Sequence, residues 1–171
     1  MKAIHLTTRF VGSLWPFGPR TADDSWARSH LLEGEIVLWD RMCTQDRRHS
    51  VGVARRVDEH LGVRATRPVL AAALLHDVGK VESGLGTFLR VVATLSAAVA
   101  GRDMADAWIL SSGVTRRVGL YLKHPEIGGD LLAMAGSEEF TEQWARQHHL
   151  PEDDCTLDRD LAHALRISDD D

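Results

Sequence analysis

The adjacent pair His76–Asp77 closes an apolar run, PVLAAALLHDVGK, that begins at Pro68. An imidazole nitrogen beside a carboxylate oxygen is a common donor set for a divalent transition metal, because it combines tight binding with charge neutralisation. Ionisable side chains set against a core need compensation, and a metal ion supplies it. His49, His124, His148, His149 and one of the terminal aspartates also fall at expected helix ends or on core-facing stripes. Helices of a bundle can project such groups into one interior cavity. Left without metal, the cluster would face mutual repulsion or heavy desolvation, so ligation is the economical account.

The elements that must position these residues read as helices almost throughout. From Asp23 or Asp24, DDSWARSHLLEGEIVLWDRM has an acidic start and helical apolar spacing, with Gly34 expected to break it into two short helices. Thr44 is expected to cap the next helix, in which Val53, Val57 and Leu61 form one stripe and His49 falls on the same side, pointing coreward. Pro68 opens the helix that carries His76–Asp77, and Gly79 is expected to end it. Leu85 to Ala100 is apolar nearly all round, too short for a comfortable bilayer span, and reads as a buried or subunit-contacting helix. Two further helical segments follow, GRDMADAWILSSG and VTRRVGLYLKHP, and the second stops at His124–Pro125, since proline disfavours helix in the residue before it. Pro125 starts a helix closed by Gly136, an acidic turn opens the one ending in His148–His149, and Leu157, Leu161 and Leu165 mark the last. No repeat, low-complexity tract or alternating strand pattern interrupts this all-α reading.

The 171 residues fit one domain over 23–171, with 1–22 as a loosely ordered arm whose Phe10, Trp15 and Phe17 could dock on the domain or a second subunit. With 44% hydrophobic and 26% charged residues the chain has ordinary globular composition, and a net charge of -5 gives no electrostatic reason to expect nucleic acid. Local basic groups such as Arg47, Arg48, Arg116 and Arg117 can still receive a small anion. Cys43 and Cys155 are isolated, with no CxxC spacing, so neither a disulfide framework nor a thiolate zinc site is implied. The opening MKAIHLTTRFVGSLWPFG lacks a continuous apolar stretch, so neither a secretory signal nor a span is expected and a cytoplasmic location is. His5, His30, His60 and His163 are expected to be structural or exposed, and Trp26, Trp39, Trp108 and Trp144 to be packing residues.

The order His49, then His76–Asp77, then a terminal aspartate resembles the HD superfamily of metal-dependent phosphohydrolases, whose motif is H, HD and D. HDVGK, HPEIGGDLL and QHHL further resemble the HDIG-type branch and its HD-GYP relatives. The likeness runs from about Asp46 to Asp169. It implies a compact multi-helix bundle with an interior metal site, in which His49, His76, Asp77 and Asp169 are core ligands. His124, His148 and His149 would complete a second metal, with Asp77 bridging. Lys80 matches the family lysine that touches the substrate phosphate or the bridging hydroxide. Matching ALRISD to the family's final helix selects Asp169 over Asp170. After the HH pair the chain runs Leu150-Pro151-Glu152-Asp153-Asp154, so the GYP loop tied to cyclic di-GMP is absent, and Gln45 stands where some relatives carry a third-metal glutamate.

The resemblance therefore implies hydrolysis of a phosphomonoester or phosphodiester, such as a nucleotide or signalling nucleotide, by a metal-activated hydroxide. One or two ions of Mn, Fe, Ni or Zn suit His and Asp ligands. Asp77 would orient the hydroxide, Lys80 would stabilise phosphate charge, and Arg116, Arg117 and Lys123 would bind more of the substrate. The alternative is an HD-like metal-binding regulatory or interaction module without turnover. Expected partners are a small phosphorylated substrate and, as an open option, a second copy of the chain.

Overall fold

The computed structural model describes residues 19–86 and 104–170, together with Leu89 and Ala93. The expected arm through Gly18, with Phe10, Trp15 and Phe17, lies outside the described residues, as do His5, Asp171 and most of the expected Leu85–Ala100 helix. Nine α-helices are described: α1 (Thr21–Ser29), α2 (Glu33–Arg41), α3 (Thr44–Leu61), α4 (Arg67–Leu75), α5 (Met104–Ile109), α6 (Gly113–Leu122), α7 (His124–Met134), α8 (Glu139–Gln147) and α9 (Arg159–Asp170). Short 3-10 segments cover Gly62–Arg64, Val78–Glu82 and Glu152–Asp154. Among the described residues there is no strand, so the all-α reading holds.

The bundle is built around α4. Thr66 precedes it in extended conformation, Pro68 fits its first turn where no N–H is needed, and Val69 through Leu75 are all buried. A helix apolar on every face must be covered on every face. Accordingly α3 packs along one side of α4 and α8 along another, α9 lies on α3, and α7 packs on α8 and on the Val78–Glu82 segment. Trp39, Leu74, Leu75, Leu132, Trp144 and Leu165 fill the main core. Fully buried Glu35 accepts from the Leu32 amide at 2.7 Å and from Arg67 at 3.2 Å, and Arg67 also pairs with Glu138. That network ties α2 to α4 and to the start of α8. Leu85 and Ala93 are buried with Val118 in a smaller cluster that includes Trp108 and Tyr121.

Several boundaries differ from the sequence reading. The first helix starts at Thr21, before either aspartate. The break between the first two helices falls at His30–Leu32, and Gly34 sits inside α2, where a Cβ would lie 2.2 Å from the Ala135 carbonyl oxygen. Cys43, not Thr44, occupies the N-cap of α3. The α4 helix ends at Leu75, and Gly79 lies in the 3-10 segment beyond it. Its role is contact: a Cβ on Gly79 would come within 2.0 Å of the His124 carbonyl oxygen and 2.6 Å of the Gly128 amide nitrogen. Only a bare backbone allows HDVGK and HPEIGG to touch in this way.

Candidate metal centre

Three of the candidate histidines are set by the ends of their helices. His76 follows α4, His124 opens α7 and His148 follows α8. Each buried ring donates its Nδ1–H to a carbonyl three residues back: His76 to Ala73 at 2.9 Å, His124 to Tyr121 at 2.6 Å and His148 to Ala145 at 2.8 Å. Such a bond fixes both the tautomer and the ring plane, as the outer partners of metal-ligating histidines do. The opposite nitrogen, Nε2, is buried and makes no hydrogen bond in any of the three. Orphaned buried polar atoms are rare in folded proteins, and three that converge ask for a common partner.

They converge on Asp77. His76 Nε2 lies 3.4 Å from Asp77 Oδ2, while His124 Nε2 and His148 Nε2 lie 3.3 Å and 3.8 Å from Oδ1. The two carboxylate oxygens therefore face different sets of imidazoles. On the Oδ2 side, His49 Nε2 donates to Asp169 Oδ1 at 2.8 Å, and the same oxygen is 3.7 Å from His76 Nε2. On the Oδ1 side, His149 closes the set, its ring 4.0 Å from that of His148 and 5.2 Å from that of His124. Two groups have donor atoms within 4.8 Å of one another and can hold a metal ion: His49, His76 and Asp77, and His124, His148 and His149.

Charge separates the groups further. Burial alone would lower the His76 pKa, but Asp77 and Asp169 outweigh it and raise the group to about 9. Burial lowers His124, a trend that Asp77 opposes and Lys80 reinforces. Burial, helped by His149 and His76, takes His148 well below the usual imidazole range. Burial would raise Asp77, yet Lys80 and His76 hold its carboxyl well below the carboxylate norm, and Asp169 is lowered likewise by His49 and His76 against its own desolvation. Lys80 resists its burial because Asp77 stabilises its ammonium and raises its pKa.

All seven residues read from the sequence as ligands lie in this cluster; His49 faces it from a half-buried position, with 30% of its side chain exposed and its ring 5.7 Å from that of His76. Asp170 is exposed. Lys80 pairs with Asp77 Oδ2 and stands 5.8 Å from the centre of the Tyr121 ring. The three basic residues proposed for substrate are placed differently. Arg117 donates to the Ser83 carbonyl at 3.0 Å, Lys123 pairs with Asp106 at 2.9 Å, and Arg116 is exposed. Tyr121 escaped the sequence reading although its carbonyl orients His124; its place three residues before a histidine at a helix junction was the available signal. His30 packs on Trp26 and His163 faces Glu152, in keeping with structural or surface roles. Trp39 and Trp144 are buried in the core.

No family model, curated protein or solved structure matches this chain. Among the described residues no helix is long and apolar enough to cross a membrane.

Proposed function

We propose that the chain is a metal-dependent phosphohydrolase of the HD type, acting on a phosphomonoester or phosphodiester of a nucleotide or related small molecule. The observation that carries this reading is the convergence of three unpartnered imidazole Nε2 atoms on the two oxygens of one buried carboxylate. His49, His76, Asp77 and Asp169 would hold one divalent ion, and His124, His148 and His149, with the other oxygen of Asp77, a second. Mn, Fe, Ni and Zn all suit this donor set. Such an ion, when bound, brings the pKa of its water from ~15.7 toward ~7 and so supplies a nucleophile at neutral pH.

The chain's own residues do the rest. The Nδ1–H bonds to Ala73, Tyr121 and Ala145 keep the rings from turning. The Asp77 carboxylate, ionised under all ordinary conditions, offers one oxygen to each half. The Lys80 ammonium beside it carries positive charge to where a phosphoryl group would gain negative charge. A metal-binding module without turnover is the second reading. One observation favours it: Arg117 and Lys123, the basic groups expected to grip a substrate, are engaged by Ser83 and Asp106.

The test is metal analysis of protein purified without chelator, followed by assays on a generic phosphomonoester, a generic phosphodiester and a nucleotide panel. Bound metal with hydrolysis that disappears in His76→Ala and Asp77→Ala supports the enzyme. Bound metal with no hydrolysis across the panel supports the module. Protein that takes up no divalent metal sinks both.

A further inference from the structure

Asp169 lies on the last turn of α9, and something must hold that turn against the rest of the site. The last carbonyls of a helix have no partner within it. The Ser168 carbonyl is one of these, and Arg56 takes it with two donors, Nε at 2.9 Å and Nη2 at 2.6 Å. Arg56 stands seven residues after His49 on α3, two turns along the same face. One stripe of α3 thus grips neighbouring residues of α9, at the backbone of 168 through Arg56 and at the carboxylate of 169 through His49. Ser168 is buried, so the grip lies inside the α3–α9 contact and not at a fraying surface.

We propose that Arg56 is a positioning residue for the Asp169 carboxylate, setting the rotation and depth of α9 so that Asp169 meets His49 and His76. The inference rests on the metal reading above and goes beyond it, for no motif includes Arg56. Its consequence is selective. The His49, His76, Asp77 and Asp169 group depends on where α9 sits, whereas His124, His148 and His149 are delivered by α7 and α8. A fork of two N–H groups on one oxygen also suits guanidinium better than ammonium.

The test uses the full chain and zinc titrations in two backgrounds, His124→Ala, which spares the first group, and His49→Ala, which spares the second. Arg56→Met, which keeps the aliphatic stem, is expected to weaken zinc binding roughly 10–100-fold in the His124→Ala background and to leave it unchanged in the His49→Ala background. Arg56→Lys should recover part of the loss. Equal weakening in both backgrounds, weakening in neither, or binding lost outright in both before Arg56 is touched would each overturn the proposal. A lowered unfolding midpoint with zinc affinity intact would make Arg56 a helix cap and nothing more. Failure of the metal reading itself shows separately, as a parent chain that binds no zinc.

Discussion

The two halves of the cluster share Asp77 and differ in nearly everything else. One half brings together residues 120 positions apart, His49 on α3 and Asp169 on α9, around a histidine whose pKa is raised to about 9. The other draws its three imidazoles from α7 and the end of α8, two helices that pack directly on each other. The first half holds a proton on His76, between the carboxylates of Asp77 and Asp169. The second holds lone pairs, on neutral His124 and His148. A cation entering the first half must displace a proton, while one entering the second meets ligands already in their binding state. The same two residue types thus give two kinds of donor site, and the number of carboxylates nearby decides which.

The largest effect should come from the residue that erases the distinction. Asp77→Ala removes both the shared carboxylate and the counter-charge of Lys80, whose ammonium is left largely buried. Breaking a buried pair at one end costs about 3–5 kcal/mol, and urea unfolding of the metal-free protein should show a loss of that order. Metal uptake should vanish from both halves together. A variant that loses only one ion would mean that Asp77 belongs to one half.

Titration of the metal-free protein should separate the halves next. His76 has a folded pKa above its unfolded value near 6.5, so its contribution is fully present below pH 6.5 and is lost as pH rises through about 9. Its size is on the order of 3 kcal/mol. His124 and His148 have lowered folded values, so they act oppositely: the unfolded chain binds their protons first, and stability falls as pH drops below about 6.5. Urea midpoints from pH 5 to 10 should therefore pass through a maximum. His76→Gln should flatten the alkaline side and His148→Gln the acid side. Swapped effects, or a profile unchanged by either, would remove the charge contrast. Calorimetry in buffers of different ionisation heat should likewise show proton release on metal binding at neutral pH that disappears above about pH 9.

The contrast also marks what could be read in the sequence. The run from Pro68 to Leu75 shows itself as a core helix because apolar residues occupy every face, and the spacing of His49 from Val53 and Val57 placed it on the inward side of α3. Helix ends were harder, because Gly34 and Gly79 look like stops. In the fold they are contact points, where the Ala135 and His124 backbones come too close for a side chain. Whether a glycine ends a helix or admits a neighbour depends on a segment elsewhere in the chain, which no local pattern reports. The candidate ligand residues were legible through their motifs. The division of Asp77 between two sets of rings, the grip of Arg56 on Ser168 and the Tyr121 carbonyl beneath His124 were not, since each is a relation between elements and not a property of one.

A smaller effect should come from the end of α9. Asp169→Asn keeps the shape and removes the charge that faces His49 and His76, so it should weaken the first half's ion roughly 10–100-fold and lower the His76 pKa. Asp170→Asn, one position on and exposed, should change neither. If Asp170 proved the sensitive position instead, the register of α9 would be wrong by one residue and the two-half picture would lose its long-range member.

The smallest effect tests how far the site extends. Arg116 and Arg117 are neighbours on α6, yet only Arg117 has a partner in the Ser83 carbonyl, at the end of the 3-10 segment that carries Lys80. Arg117→Ala should therefore cost about 1 kcal/mol of stability, the usual worth of one hydrogen bond, with little change elsewhere. Arg116→Ala should stay within about 0.5 kcal/mol of the parent, as surface substitutions do. Both are read by urea unfolding. Should the proposed phosphoester hydrolysis be found, its KM supplies the second axis: a rise in the Arg116 variant alone would carry the substrate out over the exposed face of α6. Unchanged values in both would confine recognition to the two halves of the cluster and Lys80.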